Sequence, residues 1–186
     1  MNSCSFNGVF MNVKNNKRRQ ETVSKIESAF MDFLKTQEIS QIKVTAICEK
    51  AGINRGTFYA NFVDVYDLAD KMHIRLKNEV NELFEQDIRS QYTNENYLKL
   101  FEHIFEHIKK NQTLYAFYFK LGYDDSDDLK LYDICQMNYT QNLSYHIAFF
   151  KSGFNTIVKK WINGGCKESP EEMRDILLLE YTGRFS

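Results

Sequence analysis

Only one proline, Pro170, and eight glycines occur in the 186 residues. Proline and glycine build tight turns and end helices, so a chain this poor in them has little material for the many hairpins of an all-β fold. Long helices are what it can form. Apolar residues recur three and four positions apart, the spacing that lays one stripe along a helix. Val23, Ile26, Ala29, Phe30, Phe33 and Leu34 predict a first helix over about residues 17–35. Val44, Ile47, Cys48 and Ala51 predict a short second one, stopped by Gly52, because glycine takes a left-handed backbone without steric penalty. Asn54 stands where its side-chain oxygen can cap a third helix, packed by Phe58, Tyr59 and Phe62. Asp64 opens a longer element in which Val65, Leu68, Met72, Leu76, Val80 and Leu83 keep helical spacing for about five turns. Further helices are predicted near residues 96–110, 112–121, 129–150, 151–163 and 170–181. Ser169-Pro170-Glu171-Glu172 starts the last, with a cap, a first-turn proline and acids at the positive end of the helix dipole.

The length allows one large domain, or a small one fused to a larger one. No run of apolar residues approaches the ~18–20 that a membrane span requires. The first thirteen residues hold no Lys or Arg and lead into a polar, Asn-rich run, unlike a secretory signal. Met11 precedes the first basic residues, so residues 1–16 are expected to be a flexible tail or to follow from a misassigned start. Cys4, Cys48, Cys135 and Cys166 are far apart, with no CxxC pair, as expected for free thiols in a reducing cytoplasm. Charge is unevenly placed. Residues 14–62 carry nine basic against five acidic side chains, whereas the rest of the chain carries fifteen against twenty. A basic head on an acidic body suits a polyanion binder that touches phosphate with the head alone.

The segment from Val44 to Phe62 reads as helix, glycine turn, helix. A helix of about eight residues is ~12 Å long and fits the ~12 Å major groove of B-DNA. Ala51-Gly52-Ile53-Asn54-Arg55-Gly56-Thr57-Phe58-Tyr59-Ala60-Asn61-Phe62, followed by Asp64 and Leu68, resembles the DNA-binding signature of the TetR/AcrR family. The resemblance spans about residues 17–70. It implies an all-α fold: a three-helix helix-turn-helix head over residues 17–63, joined by a long helix to a bundle over residues 64–186 that dimerises and binds ligand. It also implies a cytoplasmic transcription regulator, a repressor released by an unknown small-molecule effector, with a palindromic operator duplex and a second copy of the chain as partners.

Carried over position by position, the resemblance makes the third helix the recognition helix, with Asn54 at its start and Arg55, Gly56, Ala60 and Asn61 facing base edges or nearby phosphates. Arg55 is the expected reader, since an arginine donates two parallel hydrogen bonds to guanine. Thr57, Tyr59 and, on the second helix, Thr45 are expected on phosphate oxygens. Lys17, Arg18 and Arg19 would reach the flanking backbone or minor groove. Phe58 and Phe62 are read as core. Two positions depart from the pattern: Val65 stands where many members place a lysine against phosphate, and Lys43 where Ser or Thr often caps the second helix. The same resemblance puts the dimer interface on the last two helices, at Phe150, Phe154, Ile157, Trp161, Met173, Ile176 and Leu177. Among the many aromatics of the body, Phe105, Tyr115, Phe119 and Tyr139 are the expected lining of an effector pocket.

Other readings compete. A body that binds a partner protein would make the chain a co-regulator. His103-Ile104-Phe105-Glu106-His107 has the HxxEH order of inverted zinc peptidases, with two imidazoles one turn apart and Glu106 as base. Against a zinc hydrolase, the sequence identifies no third ligand, and the apolar residues Tyr97, Phe101, Phe105 and Ile108 turn both histidines toward the wetter side. Asp124-Asp125-Ser126-Asp127-Asp128 lacks the spacing of a calcium loop and reads as a solvated turn. No catalytic residue, metal or cofactor is expected.

Overall fold

The computed structural model describes residues 7–88, 94–122 and 141–182, and all its regular elements there are helical. They are α1 (Asn7–Leu34), a 3₁₀ turn (Ile39–Gln41), α2 (Val44–Ala51), α3 (Arg55–Tyr59), α4 (Val65–Ile88), α5 (Asn94–Lys110), α6 (Gln112–Leu121), α7 (Leu143–Asn163) and α8 (Pro170–Thr182). The chain divides into two compact units between Met72 and His73, inside α4.

In the first unit α1 packs on α2, and α2 on α3. Ile26 and Phe30 of α1, Ile47 of α2, Phe58 of α3 and Leu68 of α4 are all sealed from solvent. Each such side chain contributes ~1.5–3 kcal/mol of burial, which matters most for α3, too short at five residues to persist alone. Gly52 ends α2 at φ +66°, as the sequence leads one to expect. The first turns of α4, with Val65, Ala69 and Met72 buried, belong to this unit, so the division falls nine residues later than the boundary expected after residue 63.

In the second unit α5 packs against α8, and α6 against α7. Its core gathers Val80 and Phe84 of α4, Leu100, Phe101, Ile104, Phe105 and Ile108 of α5, Phe150, Phe154, Val158 and Trp161 of α7, and Met173 and Leu177 of α8. Phe105 has Phe154 (5.9 Å) and Trp161 (5.6 Å) around it. The turn after α7 runs through Gly165 at φ +82° and Cys166 at φ +49°. Ser169 opens α8 with a reciprocal cap: its hydroxyl receives the Glu172 N–H (3.2 Å) and Glu172 Oε2 receives the Ser169 N–H (2.7 Å).

Three boundaries differ from the sequence expectation. α1 starts at Asn7 instead of near residue 17, so the segment expected as a tail continues the helix from Asn7 on, and adding residues to an existing helix costs little. α5 starts two residues early, at Asn94. The break expected between residues 150 and 151 does not exist: α7 runs straight through, since Phe150, Phe154, Val158 and Trp161 form one uninterrupted buried stripe. The earlier part of the helix expected over 129–150, and the Asp124–Asp128 turn, lie outside the described residues up to residue 140.

Candidate nucleic-acid interface

Two features fix α3 locally. Asn54 Oδ1 accepts from the Thr57 N–H (2.7 Å) and from the Thr57 hydroxyl (2.9 Å), capping the first turn. Phe58 is fully buried, with Tyr59 (5.6 Å) and Phe62 (5.6 Å) around it. With Phe58 turned inward, Arg55, Gly56, Tyr59 and Ala60 are left exposed, Tyr59 at 56%. Asn54 and Thr45 are exposed too, and Thr57 and Asn61 half-buried. On α1, Lys17, Arg18 and Arg19 are exposed.

Hydrogen bonding separates these residues. The Thr57 hydroxyl donates its proton to Asn54, so donation to a phosphate would require it to turn away from the cap. Asn61 accepts from Arg19 Nε at Oδ1 (3.0 Å) and donates from Nδ2 to the Thr57 carbonyl (2.8 Å), while Lys71 Nζ donates to its backbone carbonyl (3.0 Å). Asn61 is thus engaged with protein at the end of α3. No side chain caps α2, as Lys43 implies. Val65 is buried, and its apolar side chain packs in the first unit.

Carboxylates brace this unit. Asp32 on α1 pairs with Lys35 (2.8 Å) and with Lys50 of α2 (3.0 Å), and both cations hold its carboxyl below the usual range. Asp67 accepts from the Val63 N–H (2.8 Å) and from Lys71 (2.8 Å), and these bonds, Lys71 first, lower it likewise. Asp64 receives the Tyr66 and Asp67 N–H groups, both at 2.8 Å, as the cap its position suggests. The Asp67–Lys71–Asn61 chain is not foreseen from sequence, although the four-residue Asp67/Lys71 spacing signals its first link.

The family described as the TetR-type transcriptional regulator C-terminal region matches residues 95–179. The fold is that of three solved structures. A TetR transcriptional regulator from Streptococcus agalactiae 2603V is 20% identical, with TM-score 0.64, covering 91% of this chain and 98% of its own. The fatty acid degradation regulator FadR from Bacillus halodurans is 16% identical, with TM-score 0.67, covering 88% and 96%. The dihydroxyacetone kinase operon activator DhaS is 19% identical, with TM-score 0.57, covering 84% and 92%. Residues 95–179 thus resemble the C-terminal region of TetR-type transcriptional regulators. No curated protein matches this chain.

In the second unit the residues expected at an interface and a pocket are placed as follows. Phe150, Phe154, Trp161, Met173 and Leu177, expected at a dimer interface, are at most 5% exposed and face the protomer's own core; Ile157 is packed against it. Only Ile176 of that set is exposed, at 44%. Periodicity finds an apolar stripe without saying which neighbour it meets. The outward apolar residues of these helices are Tyr145 (76%), Phe149 (74%), Ile176 and Leu179 (65%).

Of the expected pocket lining, Phe105 is fully packed, Tyr115 and Phe119 are partly buried, and Tyr139 lies outside the described residues. Nor do both histidines of the HxxEH sequence face solvent. His107 is only 12% exposed at its side chain, with Nε2 on Glu79 Oε2 (2.8 Å) and Nδ1 on the Tyr115 hydroxyl (3.1 Å). His103 Nδ1 pairs with Asp87 Oδ2 (2.8 Å). The wet side of α5 in the sequence reading is covered by α4, whose carboxylates claim the imidazoles. Glu106 is exposed, and no three His, Cys, Asp or Glu converge among the described residues. With both His107 nitrogens engaged, the donor set does not fit a zinc site. No described helix is long and apolar enough to cross a membrane.

Proposed function

We propose that this chain is a homodimeric, sequence-specific DNA-binding regulator of the cytoplasm, a repressor released by a small molecule. The observation that carries DNA binding is the two-sided α3: Phe58 is sealed in the first unit while Arg55, Gly56 and Tyr59 stand exposed on a helix whose start is capped by Asn54. Arg55 is the base reader, and Tyr59 and Thr45 meet phosphate, with Lys17 and Arg18 on flanking backbone. Thr57 acts first as the partner of the cap, and Asn61 as a brace. The basic excess of residues 14–62 supports the same face.

A second copy docks through the outward apolar residues of α7 and α8, Tyr145, Phe149, Ile176 and Leu179. A two-fold dimer would present two heads to the half-sites of a palindrome. Repression and release by an effector follow from the family resemblance; a ligand acts so only by binding the DNA-competent and DNA-free forms unequally. No catalytic step belongs to this reading.

Selection from random-sequence duplex DNA, repeated with Arg55→Ala, tests it. The expected result is an enriched palindrome whose arginine-read base loses preference in the variant, worth ~1–3 kcal/mol. A folded protein that enriches no sequence overturns direct recognition and favours action through a partner protein. Transcription in vitro from a promoter bearing the selected site decides repression against activation.

A further inference from the structure

α3 has five residues, too few for its own hydrogen bonds to set its direction, so its aim depends on what grips its ends. The start is gripped by Asn54 and the end by Asn61, the residue after the C-cap Ala60. An arginine only donates and a carbonyl only accepts. The Asn61 amide therefore satisfies both neighbours in one orientation, oxygen toward Arg19 (3.0 Å) and nitrogen toward the Thr57 carbonyl (2.8 Å). Arg19 sits 42 positions earlier, on α1, so this is a tertiary tie across the head. Lys71 of α4 adds a second cation on the Asn61 backbone carbonyl (3.0 Å) and is itself anchored by Asp67.

We propose that Arg19 is a positioning residue for recognition: through Asn61 it holds α3 at the angle that lets Arg55 read a base, and it does not itself neutralise a phosphate. The proposal rests on the DNA-binding reading above. It divides the basic run of α1 by role, Lys17 and Arg18 supplying charge and Arg19 supplying aim.

The two roles leave different signatures. A lost phosphate contact weakens binding to all sequences alike and flattens the log affinity against log salt slope by about 0.9. A lost positioning contact narrows discrimination and leaves the slope unchanged. The test titrates the full-length protein with the selected duplex and with a scrambled duplex over a salt series, using Arg19→Met, Asn61→Leu, the double variant, and Arg18→Met for comparison. Arg19→Met and Asn61→Leu are each expected to narrow the ratio of selected to scrambled affinity by about three- to tenfold, the net scale of one solvent-exposed hydrogen bond. The slope should hold, and the double variant should lose no more than either single one. A slope flattened by about 0.9 in Arg19→Met, equal weakening on both duplexes, additive losses, or no loss at all overturns the proposal.

Hydrogen exchange of the α3 amides, without DNA, gives an independent measurement. Arg19→Met and Asn61→Leu should speed exchange about three- to tenfold with the melting temperature nearly unchanged, and unaltered exchange overturns the tie. If the unaltered protein selects no sequence, the DNA-binding reading fails, and with it the recognition role of Arg19, whether or not the tie persists by exchange.

Discussion

Asn54 serves α3 with a single oxygen that takes both the N–H and the hydroxyl proton of Thr57. Its loss should therefore register in the stability of the head. Asn54→Ala is expected to lower unfolding free energy by about 1 kcal/mol in urea titration. Lys43→Ala, at the start of α2, should change little, because Lys43 makes no side-chain cap bond there. Both cap positions are legible in the sequence, since capping is a matter of neighbouring residues. The fate of His107 is not, because its partners Glu79 and Tyr115 come from other helices. Burial first, and then the Glu79 carboxylate, push the Tyr115 hydroxyl well above its ordinary value, so it stays protonated and can donate to His107. His107→Leu should cost ~1–3 kcal/mol by leaving that hydroxyl unpaired, and adding Tyr115→Phe should recover part of the loss in the same titration.

Elements whose ends are marked by local chemistry can be read from sequence, and elements whose limits are set by packing cannot. Gly52, Asn54, Asp64 and Ser169 place four helix ends, and the helices beside them begin or stop there. The continuity of α7 past Phe150 is different, because a stripe looks the same whether one helix or two successive helices carry it. The junction of α3 and α4 makes a testable case of local charge. Lys71 and the Val63 N–H hold Asp67 below the ordinary carboxylate range in the folded protein. A carboxyl lowered by folding stabilises the fold fully above its unfolded pKa, near 4, and loses that contribution as pH falls through the lower folded value. The stability gap between the unaltered protein and Asp67→Asn should therefore be largest near neutral pH and shrink as the solution is taken below about pH 4. A gap that widens on acidification would mean that Asp67 is not held in its charged form.

At the scale of the whole molecule, the uneven charge and the helical class are plain in the sequence, whereas the face proposed to meet a second copy is not. α7 carries apolar residues both inward, at Phe150 and Phe154, and outward, at Tyr145 and Phe149; one amino-acid pattern cannot say which side is the protomer's own core. The structure separates them by exposure, 5% for Phe154 against 74% for Phe149, and substitution should separate them by consequence. Phe154→Ala removes a ring packed against Phe105 and Phe150 and should cost ~3–5 kcal/mol, seen as a lowered melting temperature. Phe149→Glu, alone or with Leu179→Glu, should leave the protomer folded and shift its mass by sedimentation equilibrium from dimer to monomer. The monomer should also bind the selected palindrome more weakly than the dimer, because each half-site is then met without the effective concentration supplied by a linked head. A Phe149→Glu, Leu179→Glu protein that stays dimeric would place the interface elsewhere. Loss of the fold would show instead that these exposed rings support the protomer itself.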